Sequence, residues 1–146
     1  MAILITIRSA RAVNKDSLRR AVRAALRAEA AAGAEVSILV TDDDEMRQLN
    51  RRYRRRDAPT DVLAFPQDEP SSPAGERGPR LLGDVVISAE TAQRQARERR
   101  ASFDGEMQLL AIHGVLHLTG WADERDDQRR RMLGRARAIQ HLARDG

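Results

Sequence analysis

Three side chains in the C-terminal third of the chain have the types and spacing of a metal site. His113 and His117 are four residues apart within the apolar segment 109–118, which has the character of a helix. Residues four apart lie on one face of a helix, one turn apart, so both imidazoles could bind the same ion. Gly120 permits a left-handed turn that can bring Asp123 to that ion. Two imidazoles and one carboxylate leave a coordination position open for water, as in catalytic zinc sites.

Each part of this pattern also has a purely structural explanation. A single histidine on an apolar helix is more often a core residue, but two of the three histidines here have ligand spacing. The third, His141, lies in a charged segment and is predicted to be a surface or packing residue. If Asp123 faces away, Glu124 or Asp126 could replace it, or the acidic run could simply begin the last helix, where negative charge suits the dipole.

The composition is that of a globular protein. The chain has 146 residues, of which 41% are hydrophobic and 33% charged, so one domain spanning residues 1–146 is predicted. Without cysteine, a metal site must use histidine and carboxylate ligands. No apolar run reaches the roughly 20 residues of a membrane span, and the apolar start is too short for a signal peptide, so we expect a cytoplasmic protein without membrane contact.

Apolar periodicity predicts an α+β fold, in which about five helices pack on a mixed four-stranded sheet and the metal site lies on a central helix and the turn after it. The Pro/Ser/Gly-rich segment 67–80 is predicted to be a long exposed loop. Asp42 with Glu45 predicts a helix cap. The predicted strands are 2–8, 35–41, 62–65 and 81–88, and the predicted helices are 14–32 (stopped by Gly33), 43–53, 89–100, 102–118 and 126–143.

Positive charge is carried almost wholly by arginine, since Lys15 is the only lysine among 26 basic residues and the net charge is +4. Guanidinium groups suit phosphate recognition, although an arginine-rich proteome would give the same excess. The densest basic patch lies at the end of the second predicted helix and suggests nucleic-acid binding, or alternatively a solvated helix end with favourable charge. Its members are Arg51, Arg52, Arg54, Arg55 and Arg56.

These segments resemble one known family. The string His113-Gly-Val-Leu-His117-Leu-Thr-Gly120-Trp-Ala-Asp123 resembles the signature of the YbeY-like endoribonucleases, which normally reads His-Gly-x-Leu-His-Leu-x-Gly-Tyr-Asp-His. Residues 49–65 resemble the central segment of that family, and residues 82–88 resemble the strand that follows it. The matches occur in order and together cover most of the chain between Asp42 and Asp127.

The resemblance implies a cytoplasmic, metal-dependent endoribonuclease that acts on single-stranded RNA. It implies one Zn²⁺ per chain, maturation of the 3′ end of small-subunit (16S) ribosomal RNA, and a role in ribosome quality control. The expected partners are ribosomal RNA and the small ribosomal subunit, with ribosomal or assembly proteins beside them. By position, His113 and His117 match two metal ligands of the catalytic site, and Arg54 matches an arginine that holds the RNA backbone near the metal.

Two positions depart from the family pattern. Asp123 stands where the third histidine ligand is usual, and Ala64 stands where serine is usual. Zinc accepts a carboxylate oxygen as a ligand, so Asp123 keeps the site plausible. Its charge should make metal-bound water less acidic and could shift the preference toward harder ions such as Mn²⁺.

Two other functions fit parts of the pattern. The histidine spacing is similar to that of metzincin peptidases, but those enzymes need a glutamate base directly after the first histidine, where this chain has Gly114. The chain could also be an RNA- or ribosome-binding assembly factor in which the metal is only structural.

Overall fold

The structure, a computed structural model, describes residues 3–67 and 80–145. Within these ranges, four strands and five helices follow one another in the predicted order. The elements are β1 (Ile3–Ile7), α1 (Lys15–Ala28), β2 (Glu35–Thr41), α2 (Asp43–Arg54), β3 (Val62–Pro66), β4 (Leu81–Ser88), α3 (Ala89–Arg99), α4 (Phe103–Leu118) and α5 (Asp126–Asp145). The predicted loop 67–80 falls almost entirely on residues outside the described ranges.

The four strands form one mixed sheet, as predicted, and their order in it is β1-β2-β4-β3. β1, β2 and β4 are parallel, and β3 pairs antiparallel with β4 at the edge, with Phe65 opposite Asp84. Pro66 ends β3, a position where an edge strand tolerates the missing N–H group. β3 is therefore an edge strand. It contacts α4, the helix that carries His113 and His117.

Helix α4 lies at the centre of the molecule. Its residues are apolar on almost every side, which is typical of a helix that is buried all round. It packs on β3 and β4 and is covered by α1, α3 and α5. Close contact with the sheet depends on Gly114, because a Cβ atom there would lie 2.4 Å from Cγ1 of Val85. The sheet and its neighbouring helices thus hold α4 in a fixed position.

One predicted helix end and one predicted capping interaction were wrong. Helix α1 ends at Ala28 rather than at residue 32, and Glu29 caps it, so Gly33 with φ +90° serves the turn into β2 instead of the helix stop. Asp42 occupies the N-cap position of α2, but its side chain makes no capping bond and instead accepts a hydrogen bond from Ser9 Oγ at 2.7 Å. Glu45 correspondingly accepts from Thr41 Oγ1.

None of the helices in the described ranges combines the length and the apolar character needed to cross a membrane.

Candidate metal centre

The two histidines of α4 face the same side of the helix, as their spacing predicts. Their Nε2 atoms lie 3.1 Å apart, and each side chain is 27% exposed. They lie near the C-terminal end of α4, where the helix packs beside β3. The buried helix therefore presents both rings to a partly open site.

A tight turn after α4 brings Asp123 to the histidines. The N–H of Trp121 donates to Leu116 O and the N–H of Gly120 donates to His117 O, which is the hydrogen-bond pattern of a Schellman motif. Gly120 supplies the required positive φ, +108°. Asp123 Oδ2 then lies 3.5 Å from His113 Nε2 and 3.3 Å from His117 Nε2.

The three ligand atoms form a triangle that fits a single metal ion. Its edges measure 3.1, 3.3 and 3.5 Å. Ligands of one tetrahedral zinc ion, each about 2.0–2.2 Å from it, are separated by about 3.3–3.6 Å. Within the described part of the chain, these residues form the one group of three potential ligands that could hold an ion. The donor set therefore suits zinc, with an open side toward solvent.

The alternative third ligands lie elsewhere. The Asp126 side chain is paired with Arg129, and the backbone N–H of Glu124 donates to Gln128 Oε1. Arg129 also donates to the carbonyl oxygens of Asp123 and Glu124, each at 3.1 Å, and so holds this segment against α5. Asp123 is the acid that reaches the histidines.

Hydrogen bonding and burial put the histidines in the state that binds metals. Nδ1 of His117 lies 3.1 Å from the carbonyl oxygen of Trp121, to which it can donate, and this leaves the Nε2 lone pair directed at the site. Burial lowers the pKa of His113, and the neighbouring His117 lowers it further, against opposing effects of Asp61 and Asp123. His113 is therefore neutral at pH 7.

The ligands line a cavity of about 330 Å³ between α4, β3 and the end of α2. Of the five arginines of the basic patch, only Arg54 lines this cavity; all five are exposed. Larger cavities lie elsewhere, one beside the α1–β2 turn and one on the opposite face of the sheet, and neither contains this group of ligands. The structure thus brings one predicted phosphate-binding residue to the predicted metal site.

Asp61 also lines the cavity, although the sequence alone did not identify it as a site residue. Its Oδ2 accepts a hydrogen bond from Gln95 Nε2 at 3.2 Å, and its backbone carbonyl accepts from the N–H of Ser88. These contacts come from α3 and from the end of β4. Only the pairing of distant segments places this carboxylate beside His113.

Comparison with known proteins finds one family that matches almost the whole chain. A profile of the family described as Endoribonuclease YbeY matches residues 4–143. The chain belongs to the YbeY family. An Aquifex aeolicus relative named endoribonuclease YbeY is 44% identical over 115 residues, covering 79% of this chain and 73% of the relative. A Bacillus cereus relative of the same name is 41% identical over 111 residues, covering 73% and 71%.

A solved structure shows the same fold. The solution structure of TM1509 from Thermotoga maritima matches with a TM-score of 0.64, covering 96% of this chain and 89% of that one, at 24% identity. At this identity the likeness concerns the fold alone.

Both departures from the YbeY signature lie at the cavity. Asp123, in place of histidine, reaches the two histidines, and Ala64, in place of serine, forms part of the cavity wall without offering a hydroxyl group. A metzincin-type peptidase would need a glutamate at position 114. Gly114 lies so close to Val85 that a glutamate side chain would not fit there. His113, His117 and Asp123 could thus hold a metal ion in a cavity that Ala64 also lines.

Proposed function

We propose that this protein is a zinc-dependent endoribonuclease that cleaves single-stranded RNA. The observation that carries the proposal is the convergence of His113, His117 and Asp123 in one cavity with Arg54 on its wall. Membership of the YbeY family and the names of its relatives support the same activity.

The residues of the cavity divide into two roles. The three ligands would hold the metal, and Arg54 would bind a phosphate oxygen of RNA through its guanidinium group, which suits a phosphodiester. Zinc bound there supplies Lewis acidity, which lowers the pKa of water and stabilises negative charge on phosphate oxygens. The exposed neighbours of Arg54 would attract the RNA backbone over a longer range.

The geometry favours catalysis over a purely structural metal. Structural zinc sites normally use four protein ligands and are closed, whereas catalytic sites use three and stay open. Here three ligands converge, and Asp123 retains 36% exposure at the cavity. An assembly factor with a structural metal is therefore the weaker explanation.

We further propose that the substrate is ribosomal RNA in the cytoplasm, cleaved at the 3′ end of the small-subunit RNA. Acting on that substrate would give the protein a role in ribosome quality control. It would also bring the protein into contact with ribosomal or assembly proteins. These proposals rest on the resemblance to the family signature, together with the exposed arginines that adjoin Arg54 in the chain.

A cleavage assay tests the proposed activity. Metal-free protein is mixed with labelled single-stranded RNA, with DNA of the same sequence, and with a small-subunit RNA precursor, with and without added zinc. We expect zinc-dependent cleavage of RNA but not of DNA, abolished in His117→Ala and retained in His141→Ala, whose histidine lies exposed on α5. Cleavage that survives in His117→Ala would contradict the proposal, as would a folded, zinc-loaded protein that never cuts RNA.

A further inference from the structure

A largely buried carboxylate outside the metal-site cavity joins the end of α1 to the turn that follows α4. Glu29 Oε1 accepts a hydrogen bond from Trp121 Nε1 at 2.7 Å and a longer one from Thr119 Oγ1 at 3.4 Å. Its Oε2 accepts from Nε and Nη2 of Arg135 on α5, at 3.1 and 3.0 Å. The side chain is only 11% exposed. One carboxylate thus holds three separate elements together.

Trp121 connects this carboxylate to a metal ligand. Its indole N–H is fixed by Glu29, while its carbonyl oxygen is the partner of His117 Nδ1 at 3.1 Å. The indole also packs against the hydrophobic core, so the residue has little freedom to rotate. Movement of Trp121 would therefore turn the His117 ring and displace Asp123, two residues further on.

We infer that Glu29 is a positioning residue for the metal site, acting through Trp121 on His117 and Asp123. The inference rests on the proposed function only in requiring that the three ligands bind zinc. Outer partners of metal ligands contribute about 10–100-fold to metal affinity. Glu29 contacts such a partner, Trp121, rather than a ligand itself. We therefore expect its loss to weaken zinc affinity by a factor near the lower end of this range.

A double-mutant cycle on zinc affinity tests the inference. Glu29→Gln removes the ion pair with Arg135 and weakens the contact with the indole, and Trp121→Phe removes the N–H donor but keeps an aromatic ring. Zinc affinity of the full chain is measured by competition with a chromophoric chelator. We expect about a tenfold weaker affinity in each single variant and no further loss in the double variant.

The matched control is Asp43→Asn, which also converts a carboxylate paired with arginine into an amide. Asp43 Oδ1 accepts from Ser88 Oγ and Thr91 Oγ1, and Oδ2 lies 2.9 Å from Arg94 Nη2. We expect this variant to lose stability without losing zinc affinity. An equal loss of affinity in Asp43→Asn would show a general effect of destabilisation and would overturn the inference.

A second readout follows Trp121 itself, which is the only tryptophan of the chain. We expect its emission in the metal-free protein to differ between Glu29→Gln and the native chain, and to be unchanged in Asp43→Asn. Unchanged zinc affinity in Glu29→Gln, or additive losses in the double variant, would overturn the inference alone. A native protein that binds no zinc would overturn the proposed metal site as well.

Discussion

His117 Nδ1 lies 3.1 Å from the carbonyl oxygen of Trp121, four residues further along the chain. His117, a proposed metal ligand, is thereby oriented by the same turn that brings Asp123 to it. The helix end, the Schellman turn and the ligand set consequently form one unit. Changes that disturb the turn should affect metal binding even where they touch no ligand.

Arg54→Ala should lower the rate of RNA cleavage by about 100-fold, the usual effect of removing one group that stabilises transition-state charge. Zinc affinity should stay unchanged, since Arg54 lines the cavity without belonging to the ligand group. Single-turnover cleavage at saturating zinc measures the effect. Arg52→Ala is the matched control, an exposed arginine on the same helix that does not line the cavity. Equal losses in both variants would show that general charge, rather than position, matters.

Asp123→His should shift the metal preference of the site toward zinc. The substitution replaces a hard, charged oxygen ligand by a neutral nitrogen, which suits zinc better than manganese. We expect the ratio of zinc to manganese affinity to rise by at least about tenfold. Competition titrations with both ions measure the ratio. A ratio equal to that of the native protein would mean that Asp123 does not bind the ion.

Gly114→Ala should destabilise the protein by about 1–3 kcal/mol, the usual cost of overpacking, because the added methyl group would lie 2.4 Å from Val85 Cγ1. A second substitution, Val85→Ala, should reduce this effect by making room. Gly134→Ala on α5, where the new methyl group would meet no side chain or other segment within 4 Å, should instead stabilise by about 0.5–1 kcal/mol. Urea unfolding measures the free energy of unfolding of Gly114→Ala, of its combination with Val85→Ala, and of Gly134→Ala. Equal behaviour of the two glycines would contradict the close contact of α4 with β4.

Glu106→Gln should stabilise the protein at pH 7. Burial raises the pKa of Glu106 above its ordinary value of 4.5, against a smaller opposing effect of Arg99, whose Nη1 lies 3.4 Å away. The folded state thus favours the protonated acid, so native stability falls as pH rises from about 4.5 through the raised pKa.

The stability gained by Glu106→Gln should accordingly decrease as the pH falls toward 4.5. Urea unfolding at several pH values would measure this change. Glu98→Gln, an exposed position on α3, controls for the loss of one carboxylate charge. Destabilisation by Glu106→Gln at pH 7 would mean that the attraction of Arg99 exceeds the cost of burying the charge.

The convergence of the three proposed ligands could be predicted from the sequence because it is local. His113, His117 and Asp123 lie within eleven residues, and the helix spacing and the turn at Gly120 are enough to predict that they meet. The bounds of β2 and β4 were likewise predicted correctly, since both strands are long and strongly apolar.

Contacts between distant segments could not be predicted in this way. Asp42 looked like a helix cap, but Ser9, 33 residues earlier in the chain, binds its side chain instead. Glu29 meets Trp121 across 92 residues, and Asp61 reaches the cavity only because β3 pairs with the edge of β4. Local sequence patterns do not predict such long-range contacts. The residues that support the site could therefore be identified only in the folded structure.

The most direct test of the metal centre is the metal content of the native protein and of Asp123→Ala, measured by elemental mass spectrometry after purification without chelators. Circular dichroism would confirm that both are folded. We predict about one zinc ion per native chain and a marked loss in the variant. A native protein that holds no metal, even after zinc is added, would contradict the proposed hydrolase.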